Sequence, residues 1–324
     1  MVHNKSGLFY RYLQYFGLFE KKGVNISVVQ LKGNIIRRLG YIWKASQADV
    51  VIIQRKLLQP WESFLLKTRP CKVIFDFDDA IMFRSSSPYR SIGRAIKFGT
   101  IVKCADKVIA GNSYLKNLAE SYTDPEKIYI LPTPLDLSKY RQKDYSMEND
   151  QVTLGWIGSK STLRYLKELI PVFNKLGERY ENVSLKIVAN AFLDCDTIEV
   201  EKKEWSYEDE VSDLLSFDIG LMPLDDTPWS RGKCSFKLIQ YIAVGLPSVC
   251  SPVGMNREII ENGENGLWAN DLSEWETQLI KLIEDRKLRR KMGLAAYGDA
   301  WKYDQSYIFE KFYEIICNTL KLRN

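Results

Sequence analysis

Three carboxylates close one apolar run. In "KVIFDFDDAIM", Lys72 to Met82, β-branched and aromatic residues lead into Asp76, Asp78 and Asp79. Acids placed there could hold a divalent metal, could attack phosphorus through Asp76 with Asp78 as general acid, or could shape an acidic pocket for sugar hydroxyls. The plainer use of Asp78 and Asp79 is to cap the strand end and the turn after it. A second cluster is "GKCSFK", Gly232 to Lys237, at the entrance of an apolar-periodic helix. A helix N-terminus ordinarily carries acids, so Lys233 and Lys237 at this entrance point to an anion to be bound. The single histidine, His3, leaves almost no material for a histidine-ligated zinc or a Ser-His-Asp arrangement.

Strand and helix patterns alternate along the whole chain, and these elements must position the clusters. Nearly continuous apolar, β-branched runs at 24–31, 49–54, 71–77, 106–111 and 127–132 read as buried parallel strands. Helical stretches such as 59–69 and 89–104 suit the crossovers between them. Residues 138–151 are polar without apolar period, and a second alternation follows, with strands at 152–158, 183–189, 217–223, 246–252 and 265–269, a helix at ~160–180 and a helical tail from about 271. The pattern predicts an α/β protein of two Rossmann-like open parallel-sheet domains: 1–140, a linker over 141–151, 152–302, and a C-terminal helix over 303–324 expected to return to the first domain. Ligands in such sheets sit beyond the carboxyl ends of the strands, here expected in a cleft between the halves. A doubly wound domain should open with a strand, yet only "MVHNKS" precedes the helix-like "GLFYRYLQYFGLFEKKG", so the first strand is short or missing.

Composition fits an ordinary globular protein, with 45% hydrophobic and 27% charged residues in 324. Six scattered cysteines without a C-x-x-C pair read as reduced, buried thiols in a cytosolic protein. No apolar run of ~20 residues could span a bilayer, and no leader pattern opens the chain. Charge is lopsided: residues 1–110 hold 19 Lys and Arg against 7 Asp and Glu, net +12, while the remainder holds 27 against 34, net −7. A basic half either solvates one face or meets an anionic partner, and without a compact Arg-rich arm nucleic acid is not expected.

The long ordered series "DIGLMPLDDTPWSRGKCSFKLIQYIAVGLPSVCSPVGMNREIIENGENGLWA", 218–269, resembles the donor-nucleotide region of family 4 glycosyltransferases, two-domain enzymes of the GT-B fold. More weakly, 105–140 looks like the end of that family's acceptor domain, "DFDDA" like the D-x-D-D-A of a subset, and Ser6-Gly7 like its Gly-Gly turn. The resemblance implies transfer from a UDP- or GDP-sugar, with retention and without a metal or other cofactor, the departing diphosphate being met by backbone amides, a helix N-terminus and cations. Gly232 would let backbone approach phosphate, Ser235 and Phe236 would offer amides, and Lys233 or Lys237 would supply charge. Two family glutamates fall on Gly232 and Gln240, neither acidic; Gln240 can still bond a ribose hydroxyl. Gly158-Ser159 stand where the family has Gly-Arg, Arg164 falls on its phosphate-binding lysine, and Lys160 could replace the lost arginine. Gly254 and Asn256 would form a tight turn toward sugar or phosphate, and Glu258 matches an acidic position after it. Trp205 and Trp229 flank base or sugar, or are core.

On this reading Asp78 and Asp79 recognise or deprotonate the acceptor hydroxyl. Ser6, Gly7, Arg55 and Arg84 lie on the acceptor side, joined by Arg90 and Arg94, and their charge suits a glycan on a polyprenyl diphosphate at the inner, anionic membrane face. Two rivals stand beside it: a Mg²⁺-dependent haloacid-dehalogenase-like phosphatase using Asp76, and a glycosyltransferase-like binding subunit without turnover, suggested by Gly232 and Gln240.

Overall fold

The computed structural model describes residues 11–146 and 150–321. Ser6, Gly7, His3 and the expected short or missing opening strand lie outside the described residues. Two open, wholly parallel sheets form the expected α/β structure, one in each of two compact units.

The first unit takes the chain up to Leu135, adds Thr227–Cys234, and closes with the chain from Tyr303 onward. Its sheet runs β1 (Val50–Gln54), β2 (Lys72–Phe77), β3 (Lys107–Ala110), β4 (Ile128–Ile130), in chain order. Right-handed crossovers in such an ordered sheet fall on one face, and helices Pro60–Lys67 and Ile92–Cys104 pack together there. Phe75, Phe77 and Phe98 form that core, with Phe77 and Phe98 edge to face at 5.1 Å. The other face is covered by Tyr15 and Phe19 from the N-terminal helical turns and by Ile308, Phe309 and Phe312 of helix Gln305–Lys321, which close on Ile74 and Ile109.

The second unit, Asp136–Asp226 with Ser235–Lys302, holds six strands: β5 (Val152–Ile157), β6 (Val183–Ala189), β7 (Glu199–Glu204), β8 (Ile219–Met222), β9 (Ser248–Cys250) and β10 (Leu267–Trp268). Their order is β10-β9-β8-β5-β6-β7. The chain moves outward from β5 to β7, returns to β8 on the other side of β5, and moves outward again. Strand order therefore reverses between β5 and β8, the place where open α/β sheets bind ligands.

Two strand expectations fail. Val24–Leu31 is not a strand: it finds no sheet partner, and Ile26 and Val28 are exposed. Conversely "EVEKKE" forms β7, whose charges gave no apolar signal; as an edge strand it pairs with β6 in register Lys186↔Glu201, keeps its glutamates in solvent and packs Val200 against the core. The helix expected over ~160–180 is two, Leu163–Lys167 and Ile170–Arg179, with Pro171 in the first turn of the latter.

Candidate functional site

The second unit gathers most of the predicted donor residues around the β5/β8 reversal. β5 ends at Ile157, and Gly158 follows with its N–H donated to Val188 O at 2.9 Å. A side chain at Gly158 would collide with the Trp156 ring, so only glycine lets the chain turn there. Over the same ring, 5.3 Å from its centroid, stands Lys237 Nζ. Strand end and helix entrance are thereby one place.

Helix Phe236–Ala243 starts from Ser235, a non-glycine residue with φ +48°, a conformation a side chain adopts only under constraint. Ser235 Oγ donates to Asn256 Oδ1 at 2.6 Å, and Asn256 Nδ2 donates to Ser251 O at 2.8 Å. Asn256 is fully buried. Its side chain ties the end of β9 to the helix entrance. Gly254, two residues before, has φ +54° and makes the turn possible. Gln240 is 4% exposed within the helix, so a ribose could reach it only if that packing opens. Glu258 is exposed on helix Asn256–Ile259.

Arg164, on the helix after β5, stacks over the Tyr165 ring at 4.7 Å, and its Nη2 lies 3.9 Å from Asp225 in the loop after β8. One cation thus spans the strand-order reversal. Ser159 and Lys160 form the turn before it: Ser159 N donates to Thr162 Oγ1 at 3.2 Å and Lys160 N to Asn190 Oδ1 at 2.8 Å, leaving the Lys160 side chain in solvent. Trp156 and Asp225 were missed from sequence; their value lies in what they touch, which spacing does not reveal. Trp205 Nε1 donates to Glu210 at 3.1 Å, and the residue is 39% exposed.

The first unit separates the three acids. Asp76 is fully buried and gripped by Arg11, whose Nε and Nη2 reach Oδ2 and Oδ1 at 2.7 and 2.5 Å. Burial raises the Asp76 carboxyl above its ordinary value, and the paired guanidinium pulls it back. A carboxylate held on both oxygens inside the core is poorly placed as a phosphoryl nucleophile. Asp78 and Asp79 instead meet Arg55, which ends β1 with φ +51°. Arg55 Nη2 pairs with Asp79, and Nε lies 3.1 Å from Asp78 Oδ1. That contact lacks hydrogen-bond geometry, and Asp78 Oδ1 is buried without a donor among the described residues. Arg55 and the two acids therefore come together at the carboxyl ends of β1 and β2. Arg84 is exposed on a loop, and Arg94 binds the carbonyls of Ile81 and Phe83 at 3.0 and 3.3 Å, so it shapes that loop.

Gly232 and Lys233 have first-unit neighbours. A Cβ on Gly232 would come within 2.5 Å of Ala80 Cβ, so its missing side chain serves close approach to the "DFDDA" stretch. Lys233 Nζ lies 5.9 Å over Trp229, and its carbonyl accepts from Asn112 Nδ2 at 3.0 Å. Cys234 fills the space left by Gly111 beside Asp78. Asn112, Gly111 and Cys234 were unread as site residues, though "AGNS" after a strand was visible as a helix cap. No group of three or more His, Cys, Asp or Glu side chains arranged to hold a metal ion occurs among the described residues.

The fold has counterparts among solved structures. The sucrose-phosphate synthase of Thermosynechococcus elongatus superposes with a TM-score of 0.73 at 12% identity over 89% of this chain and 77% of that one. Anabaena HepE, solved with UDP-glucose, gives 0.67 at 15% identity over 94% and 89%, and the lipopolysaccharide outer core galactosyltransferase WaaB 0.63 at 13% over 94% and 86%. The fold is GT-B. Residues 151–285 match the family model of group 1 glycosyl transferases, and no curated protein matches the sequence. The matched stretch of this GT-B chain contains the β5/β8 reversal, Arg164, Lys237 and Asn256.

Proposed function

We propose that the protein is a glycosyltransferase that moves a sugar from a nucleoside diphosphate sugar, UDP- or GDP-linked, to a glycan or lipid-linked glycan acceptor. The observation that carries this reading is Lys237 standing over Trp156 at the entrance of helix Phe236–Ala243, beside the strand-order reversal and inside the stretch that matches group 1 glycosyl transferases. HepE, a neighbour in fold, was solved with UDP-glucose, which supports the same donor class.

In the reaction the bond from the anomeric carbon to the diphosphate oxygen breaks, and its electron pair stays on the diphosphate. Lys237, Arg164 and the positive end of the helix would stabilise that developing charge, so protein cations can serve without a metal. The acceptor oxygen bonds to the anomeric carbon and gives up its proton. Asp78 and Asp79, paired with Arg55, would orient that hydroxyl and take up its proton once the acceptor displaces part of this pairing. Retention of configuration belongs to the same reading.

Thermal unfolding with UDP, GDP, ADP and their sugars tests the donor site. A bound nucleotide at 100 times its dissociation constant should stabilise the fold by about 2.7 kcal/mol, and Lys237→Ala should abolish the response and lower turnover on the order of a hundredfold or more. Turnover should survive EDTA. Absence of any nucleotide response would sink the proposal. One observation favours the binding-subunit reading: Gly232 is spent on packing against Ala80, at a position where the resembled family has a glutamate. Nucleotide binding with neither transfer nor donor hydrolysis would select it.

A further inference from the structure

On the helix face of the first sheet, three neighbouring helices turn apolar side chains outward. In helix Ile35–Ala45 the inward positions are Arg38, Tyr41, Ile42 and Ala45, yet Ile35, Leu39 and Trp43, spaced by four, form a stripe toward solvent with Ile36 beside it. Ile36 is 79% and Trp43 59% exposed. The adjoining helix Pro60–Lys67 presents Trp61 and Phe64, the latter 57% exposed. Next to it, helix Ile92–Cys104 presents Ile92, 82% exposed, and Ile96. Single exposed apolar residues need no explanation, but three adjacent stripes do.

The charge around these stripes has one sign. The three helices contain a single acid, Glu62, and it is fully buried, with Arg38 Nε and Nη2 on its oxygens at 2.6 and 2.5 Å. No carboxylate of these helices reaches solvent. Arg37 and Lys44 flank the first stripe, and Lys97 stands on the third helix. Burial lowers the Lys56 ammonium, and Arg38, Lys32 and Lys97 add to this against the opposing pull of Glu62. Past the ends of the second and third helices, a cavity of about 340 Å³ is lined by Lys67, Arg69, Lys72, Lys103 and Lys127, with Asp106 facing Lys72 at 3.7 Å.

We propose that this three-helix face is a membrane-docking surface that lies on an anionic phospholipid bilayer, the Ile36/Trp43, Phe64 and Ile92 side chains entering the headgroup boundary and the surrounding lysines and arginines meeting lipid phosphates. Amphipathic helices with a basic rim and Trp, Phe or Ile on the apolar side bind interfaces in this way. A second copy of the chain is the poorer occupant, because it would bring the same positive charge against itself. No helix among the described residues is long and apolar enough to cross a membrane, so the surface would rest on the bilayer. The inference does not depend on the donor reading.

The test is co-sedimentation of the full chain with phosphatidylcholine vesicles and with vesicles containing phosphatidylglycerol. Binding is expected to the anionic vesicles only, and to weaken as sodium chloride shortens the Debye length. Ile36→Glu, Trp43→Glu and Ile92→Glu combined should lower partitioning on the order of a hundredfold, because each puts a charge into the interface. All three positions are exposed, so the variant should keep the wild-type unfolding midpoint and nucleotide response. Equal binding by variant and wild type, or no binding by wild type, overturns the proposal. So does a wild-type dimer in sedimentation that the same substitutions dissociate, which would make the face a protein interface.

Discussion

Arg11 and Asp76 make a buried pair at the carboxyl end of β2, and its removal by halves should be costly. Arg11→Leu leaves a carboxylate in the core without a counter-charge, and about 3–5 kcal/mol of stability should be lost in denaturant titration. Arg11→Leu with Asp76→Leu should recover a good part of that, since no charge then remains buried. Asp78→Asn, which removes a charge facing Arg55 but keeps the shape, should cost less, about 1 kcal/mol, with the larger loss appearing in acceptor turnover. Burial pushes the Cys234 and Cys250 thiols up, with Asp78 adding to the effect at Cys234. A raised thiol is protonated at pH 8, so neither should react with a disulfide reagent until the chain unfolds, whereas Cys195, pushed to about 11 but less buried, should react before these two. The sequence displayed the three acids but not their division of labour. Arg11 lies 65 positions from Asp76, and nothing in its own surroundings says that it turns inward.

At the scale of elements, apolar β-branched runs located nearly every buried strand, because a parallel strand between helix layers has no solvent side. The same rule fails where a strand is not buried, as with β7, and where a β-branched run has no partner, as with Val24–Leu31. The turns around the β5/β8 reversal were legible because Gly158, Ser235 and Gly254 mark them in sequence. The docking of Thr227–Cys234 beside β2 and β3 was not, since it depends on gaps left at Gly111 and Gly232. Gly111→Ala should collide with Cys234 and cost about 1–3 kcal/mol in unfolding free energy. Cys234→Ala in the same chain should restore part of it, a coupling that a double-mutant cycle reads directly. Full additivity would show that the segment is not seated there.

For the whole molecule, the division into units does not follow the chain. The first unit is built from three stretches, and its second face is closed by Ile308, Phe309, Phe312 and Ile315 against Tyr15 and Phe19. Truncation after Lys302 would uncover that apolar surface, and calorimetry should then lose the first unit's transition while the second unit, whose own core is intact, keeps its own. The two-domain α/β plan was legible from alternation alone; the threading of Thr227–Cys234 into the first unit was not, because contacts between distant stretches leave no local period.

This threading sets an order of events at the ribosome. The strands of the first sheet emerge before those of the second, yet their covering helix Gln305–Lys321 emerges after the entire second sheet. The earlier-made unit must therefore wait, one apolar face bare, through the synthesis of the later one, and assistance by a holding chaperone would be wanted most during that interval.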